Sequence, residues 1–259
     1  MSTLGLIGLA AVVLIAIALV LWANGDKQDE ASADPEAVIA FARTVAEQVS
    51  SETVVGYLLA TADREPSAED INRTTSAPIG VTDARWPRVG GKKMAHAITL
   101  DVSQMPEVAE VLSPGTVAVA LFLSDLWYHE AYEPLSPDAA VLELTAEDLA
   151  TGENLDTPEP VEEDPPLTTK ATTFTAHRID LPKGLFERDF FGESNTDLVD
   201  KLESMVLRFG IAGARPLWIQ GEEHDKPVIL QFNEFLADMN FGDAGAFYVF
   251  QDTAFMQCH

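Results

Sequence analysis

Histidines, one cysteine and a cluster of bases are the side chains of this sequence whose types can do chemistry. Trp127, Tyr128, His129 and Glu130 set an imidazole beside a carboxylate, the combination used in general acid–base catalysis. No nucleophile stands near them, and adjacent residues on a strand point to opposite faces, so the segment reads first as a loop clasping the core. His96, His129, His177, His224 and His259 show no His-x3-His or Cys-x2-Cys spacing, so no zinc site is expected. Cys258 is the single cysteine, which excludes an intrachain disulfide; beside His259 at the chain end it reads as a small residue finishing a strand. A Gly-x-Ser-x-Gly nucleophile elbow is absent, and nothing in these patterns calls for a cofactor.

Four of the sixteen bases, Arg85, Arg88, Lys92 and Lys93, fall within nine residues that also hold Trp86, Gly90 and Gly91. The glycines let backbone N–H groups approach an anion, although the Walker spacing is missing. The plainer reading is a surface turn with snorkelling bases. Further on, Gln220 and Gln231 are polar positions inside strand-like runs, which need hydrogen-bond partners if they face inward or else line a cleft. Asp243 lies in a glycine-bounded turn whose N–H groups it can accept. The ligand-binding expectation is a groove in which Trp218, Gln220, Gln231 and Asp243 face Trp86, Arg88 and Lys92.

The elements that must position these residues begin with a membrane segment. Leu4 to Trp22 carries no charged or polar side chain apart from the terminal indole, and nineteen residues at helical rise span roughly 28 Å, close to a bilayer's hydrocarbon thickness. A cleaved signal peptide would have a basic start and a shorter apolar core. The expected organisation is therefore an anchor over 1–22, a polar linker over 23–34 and one folded domain over 35–259. Asp34 and Pro35 open a helix over 35–50, with Val38, Phe41, Ala42, Val45 and Val49 at helical spacing. Val54–Leu59 either continues this helix or begins a strand. Strand-like runs follow at Ala97–Val102, Gly115–Leu123, Ala140–Leu144, Thr172–Leu181, Val228–Phe232 and Ala246–Phe250. Thr151–Pro166, proline-rich and acidic, reads as a loop, and a second helix is expected over Thr196–Phe209, stopped by Gly210.

Strands and helices do not alternate regularly, which argues against a parallel Rossmann-like sheet. The expected class is α+β, rich in mostly antiparallel sheet, with two or three helices. An offset of 130 residues aligns Arg85 with Arg215, Gly91 with Gly221, Leu100 with Leu230, Gly115 with Gly245 and Val119 with Val249. Two related β-units about a pseudo-twofold are one arrangement this predicts. The formal charge of −26, from 42 acids against 16 bases, repels nucleic acid, so no nucleic-acid partner is expected.

Three pieces in order carry a family resemblance: Ala214 to Gln220 with its Pro-Leu-Trp-Ile core, Val228–Phe232, and Met239–Phe250 around Asn240-Phe-Gly-Asp-Ala-Gly245. With Phe255–Cys258, and with Trp86-Pro87 before an earlier strand, residues 78–259 resemble the YwqG-like bacterial family. The resemblance implies a β-rich α+β fold and supplies no activity or catalytic residue. Ile211–Pro216 stands where the family has a Gly-Gly-x-Pro turn, and the anchor and first helix are additions.

The function expected from the sequence is a membrane-anchored binding or interaction module without catalysis, acting on an unidentified protein or small molecule. The alternative is a hydrolase that uses carboxylates and His129 in a cleft between the β-units. Lys27 and the terminal amine balance, leaving the side of the membrane open. On fractionation, a tagged full-length chain is expected to stay with membranes at its full mass; a soluble product beginning at Asp34 would contradict the anchor.

Overall fold

The apolar runs pair into one antiparallel sheet because each must bury side chains while satisfying its backbone groups. A computed structural model describes residues 34–49, 52–62, 64–127, 129–152, 169–186, 196–220 and 228–258. These all belong to the compact unit Asp34–His259. The Leu4–Trp22 segment, the linker up to residue 33, most of the Thr151–Pro166 loop, Gly221, His224 and His259 lie outside the described residues. Among the described residues no helix is long and apolar enough to cross a membrane.

The long strands are β1 (Thr53–Thr61), β5 (Ala95–Asp101), β6 (Thr116–Leu123), β7 (Ala139–Thr145) and β8 (Thr172–Pro182). Shorter ones are β2 (Arg73–Thr74), β9 (Gly210–Ala212), β10 (Leu230–Phe232), β11 (Ala246–Val249) and β12 (Ala254–Gln257). They form a ten-stranded sheet in the order β12-β11-β10-β9-β1-β8-β2-β5-β6-β7. A separate hairpin joins β3 (Arg88–Val89) to β4 (Lys92–Lys93). The fold is thus β-rich α+β with antiparallel pairing throughout. Four strands lie on either side of the central β1–β8 pair. Leu100 stands opposite Val119 in the β5–β6 hairpin, and Leu230 stands opposite Val249 in β10–β11.

The sheet curls until its two end strands, β7 and β12, come within 8 Å Cα to Cα. Its inner face closes on one core that includes Tyr57, Leu100, Val119, Phe174, Phe232, Phe247 and Met256. The segment after β6 covers the outer edge of β12: the Met256 N–H donates to the Ala131 carbonyl at 2.7 Å.

Four α-helices occur among the described residues, where the sequence suggested two or three: α1 (Pro35–Val49), α2 (Pro106–Ala109), α3 (Ala146–Thr151) and α4 (Thr196–Val206). The short α2 and α3 span too few residues to show a helical period. A capping box built by Thr145 and Asp148 starts α3. Val38, Ala42 and Val45 turn α1 onto β8 and α4. Val54–Leu59 is strand, and its Val-Val-Gly-Tyr-Leu-Leu run gives no alternation because both faces of β1 are covered.

Candidate functional site

Each half of the sheet has an outer face closed by an irregular segment carrying a tryptophan. On β5–β7 the segment is residues 76–94. Trp86 is 3% exposed, meets Phe122 edge-on at 5.5 Å, and donates its indole N–H to the Met94 carbonyl at 2.8 Å. Lys93 lies over the indole ring and is paired with Asp83 at 2.6 Å. Arg88 reaches the same Asp83 carboxylate at 3.2 Å, and Lys92 is exposed at the hairpin. The basic turn is thus partly neutralised: Arg88 and Lys93 share Asp83, whose carboxyl the Lys93 hydrogen bond holds below its ordinary value, and Arg85 pairs with Asp148.

On β10–β12 the covering segment is 214–220. Gln231 is buried, and its side-chain amide clamps Leu217 from both sides, accepting from the N–H at 2.8 Å and donating to the carbonyl at 2.9 Å. The Tyr248 hydroxyl also donates to that carbonyl, at 2.9 Å. Gln257, which sequence reasoning passed over, accepts the Ile219 and Gln220 N–H groups at 3.2 and 3.1 Å. Trp218 stacks on Tyr248 at 4.8 Å, and the Gln220 amide donates to the Cys258 carbonyl. Asp243 is exposed, and the acceptor of the turn N–H is Asn240, whose Oδ1 receives Gly242 at 2.9 Å. The positive-φ residues of that turn are Gly242 and Ala244. A β-carbon at Gly245 would overlap the Phe241 carbonyl, which is why glycine stands there.

The seven residues expected to form one groove therefore fall into two sets. Trp86, Arg88 and Lys92 lie on the outer β5–β7 side; Trp218, Gln220 and Gln231 lie on the outer β10–β12 side, with Asp243 in the turn entering β11. Trp86, Trp218 and Gln231 hold lids onto the sheet.

His129 is a clasp. Its Nε2 meets the Asn240 carbonyl at 3.0 Å, and Asn240 donates back to the Trp127 carbonyl at 2.8 Å. Since a carbonyl only accepts, Nε2 carries the proton, and Nδ1 is left buried without a partner, as is Trp127 Nε1. The ring packs against Phe247 and Tyr132. Burial lowers its pKa, opposed by the Asn240 hydrogen bond. His96, wholly buried, is pushed down to about 4 by desolvation; its Nδ1 meets the Ser76 carbonyl at 2.6 Å and its Nε2 the Thr99 hydroxyl at 2.7 Å. Among the described residues no group of three or more His, Cys, Asp or Glu could hold a metal ion.

A different place is open. A depression of about 510 Å³ runs between α1, through Ile39, Arg43, Ala46 and Glu47, and the β-sheet at Thr53, Arg178 and Asp180. It exists because β2 pairs with β8 only at Thr172 and Thr173. Beyond them, among the described residues, that side of β8 has no neighbouring strand, and Ala176, Arg178 and Asp180 are exposed. The Lys183 N–H bonds the Glu52 carbonyl and the Ala62 N–H bonds the Thr173 carbonyl. This phase turns the odd-numbered residues Thr175, His177, Ile179 and Leu181 toward β1. Ala176, Arg178 and Asp180 then aim their backbone N–H and C=O groups outward. Nearby, the Tyr57 hydroxyl donates to Glu107 at 2.6 Å; burial and this carboxylate push Tyr57 up to about 12.

No known family model matches this sequence, and no curated protein is significantly similar to it.

Gln231→Leu leaves the buried Leu217 N–H without its acceptor and is expected to lower unfolding free energy by about 1–3 kcal/mol in denaturant titration; an unchanged midpoint contradicts the clamp. Both buried histidines have folded pKa values below the unfolded value of about 6.5, so the unfolded chain takes up more protons as pH falls. Stability is expected to be full above that value and to fall below it by up to about 1.4 kcal/mol per pH unit per histidine. A His96→Gln variant, whatever its absolute stability, should show a shallower decline; equal slopes exclude the assignment.

Proposed function

We propose that this chain is a membrane-anchored, non-catalytic interaction module, held to a bilayer by Leu4–Trp22 and built from two related β-units. The observation that carries the reading is the open groove between α1 and β8, beside a strand edge that has no partner among the described residues. Extended polypeptides add to such edges by backbone hydrogen bonds, while flanking side chains select among them. Ile39 and Ala46 supply apolar floor, and Arg43, Glu47, Arg178 and Asp180 supply charge of both signs.

The kinship of the two units is supported by the matched pairs Leu100–Val119 and Leu230–Val249, both at the 130-residue offset. It is supported again by the tryptophan lid on each outer face. In this arrangement each unit's first strand is exchanged: β1 pairs with β9, and β8 with β2. The resemblance of residues 78–259 to the YwqG-like family belongs to the same proposal. The hydrolase alternative draws no support from His129, whose basic Nδ1 is buried with no hydrogen-bonded nucleophile or carboxylate.

The test is site-specific photocrosslinking of the full-length chain in its native membranes. A photoreactive residue at Ala176 or Arg43 is expected to give a discrete adduct that the same residue at exposed Glu147 does not. Indistinguishable patterns at the three positions overturn the reading.

A further inference from the structure

Resting on that reading, we propose that the polypeptide added to the β8 edge is β8 of a second copy, so that the chain forms a twofold dimer with a sheet continuous across the axis. The first argument is the phase of the edge. Ala176, Arg178 and Asp180 present outward N–H and C=O groups, and a second copy presents the same groups to them. An antiparallel partner satisfies both rows.

Charge then selects the register. Antiparallel pairing of the outward residues allows Arg178 to stand opposite its own copy, opposite Ala176, or opposite Asp180. The first places like charges face to face and the second leaves both charges unpartnered across the axis. The third sets Arg178 opposite the partner's Asp180 and, by symmetry, Asp180 opposite the partner's Arg178, with Ile179 on the axis. Opposite charges directly across an antiparallel pair are favourable and like charges unfavourable. Within one chain Arg178 and Asp180 already lie 3.3 Å apart, each about half exposed, so neither charge is drawn from a desolvated site when the pairing changes.

The helix beside the edge carries the same complementarity. Arg43 and Glu47, four residues apart on α1, line the groove with Ile39 and Ala46 between and beside them. The operation that pairs the strands brings the second α1 antiparallel to the first. Each Arg43 then approaches the partner's Glu47 over an apolar strip. A surface evolved only to block edge pairing would carry charge of one sign or a proline along it; here the signs alternate and Pro182 comes only at the strand's end. Against association stands the formal charge of −26 on each copy, which is screened beyond a Debye length of about 8 Å at physiological salt.

The test is sedimentation of the full-length chain in detergent across concentration, with four proteins: wild type, Arg178→Asp, the double variant Arg178→Asp/Asp180→Arg, and Arg178→Pro. Wild type is expected to dimerise. Arg178→Asp weakens the dimer roughly tenfold or more, and the charge-swapped double variant recovers to within about threefold of wild type. Arg178→Pro removes the guanidinium and an outward N–H but no N–H that faces β1, so it keeps the β1–β8 ladder, as circular dichroism would verify, and loses the dimer. A wild-type monomer at every concentration overturns the proposal, and so does a dimer indifferent to these substitutions, as one formed through another surface would be. Should the groove photocrosslink only to a different polypeptide, self-pairing fails while the interaction module stands.

Discussion

Every strand of the ten-stranded sheet hangs from the β1–β8 ladder. Nine facing pairs, from Thr53 with Pro182 to Thr61 with Phe174, join β1 and β8 at the centre of the sheet. β1 leads outward to β9–β12, and β8 leads outward to β2, β5, β6 and β7. Both strands are buried where they must be, with Leu58, Leu59, Ile179 and Leu181 at 1% exposure or less. The cost of the arrangement falls on β8. It is eleven residues long, yet its neighbour β2 is two. A long strand beside a short one leaves backbone groups uncovered, and the open groove follows from that mismatch.

A smaller depression, of about 200 Å³, lies where Thr61, Lys170 and Thr172 meet residues 234–238. Curling closes the inner face on a single core, and the outer faces are sealed by α1 and α4 in the middle and by the two tryptophan segments at either side. Apart from the β3–β4 hairpin, those segments have no strand neighbours among the described residues. Side chains take the place of the missing backbone partners: Gln231, Tyr248 and Gln257 for residues 217–220, and the indole of Trp86 for the Met94 carbonyl. A lost partner in such a buried place costs about 1–3 kcal/mol, against about 0.5–1.5 kcal/mol for an aromatic stack. The polar clamps therefore fix where the lids sit, and the rings fill the space beneath them.

Much of the architecture was legible in the residue pattern. The six strand-like runs from Ala97 to Phe250 all coincide with strands, give or take a few residues, and both long helices occupy their apolar-periodic segments. β1 was ambiguous because a strand covered on both faces has no period of two. The one-turn helices and the three-residue β9 are too short to have a period at all. The site was far less legible. Trp86, Trp218 and Gln231 stood out as unusual residues, and they are unusual because they anchor lids. The groove was invisible because no residue encodes it: it arises from strand order and from β2 ending early, facts about neighbours far apart in sequence.

Amide hydrogen exchange resolved residue by residue along β8 tests the central claim, that this strand has one paired side and one open side. In dilute, monomeric protein the account predicts alternation: slow exchange at Thr175, His177, Ile179 and Leu181, which face β1, and fast exchange at Ala176, Arg178 and Asp180. Equal, slow exchange at both sets under those conditions would mean that the edge is already covered, and would contradict it.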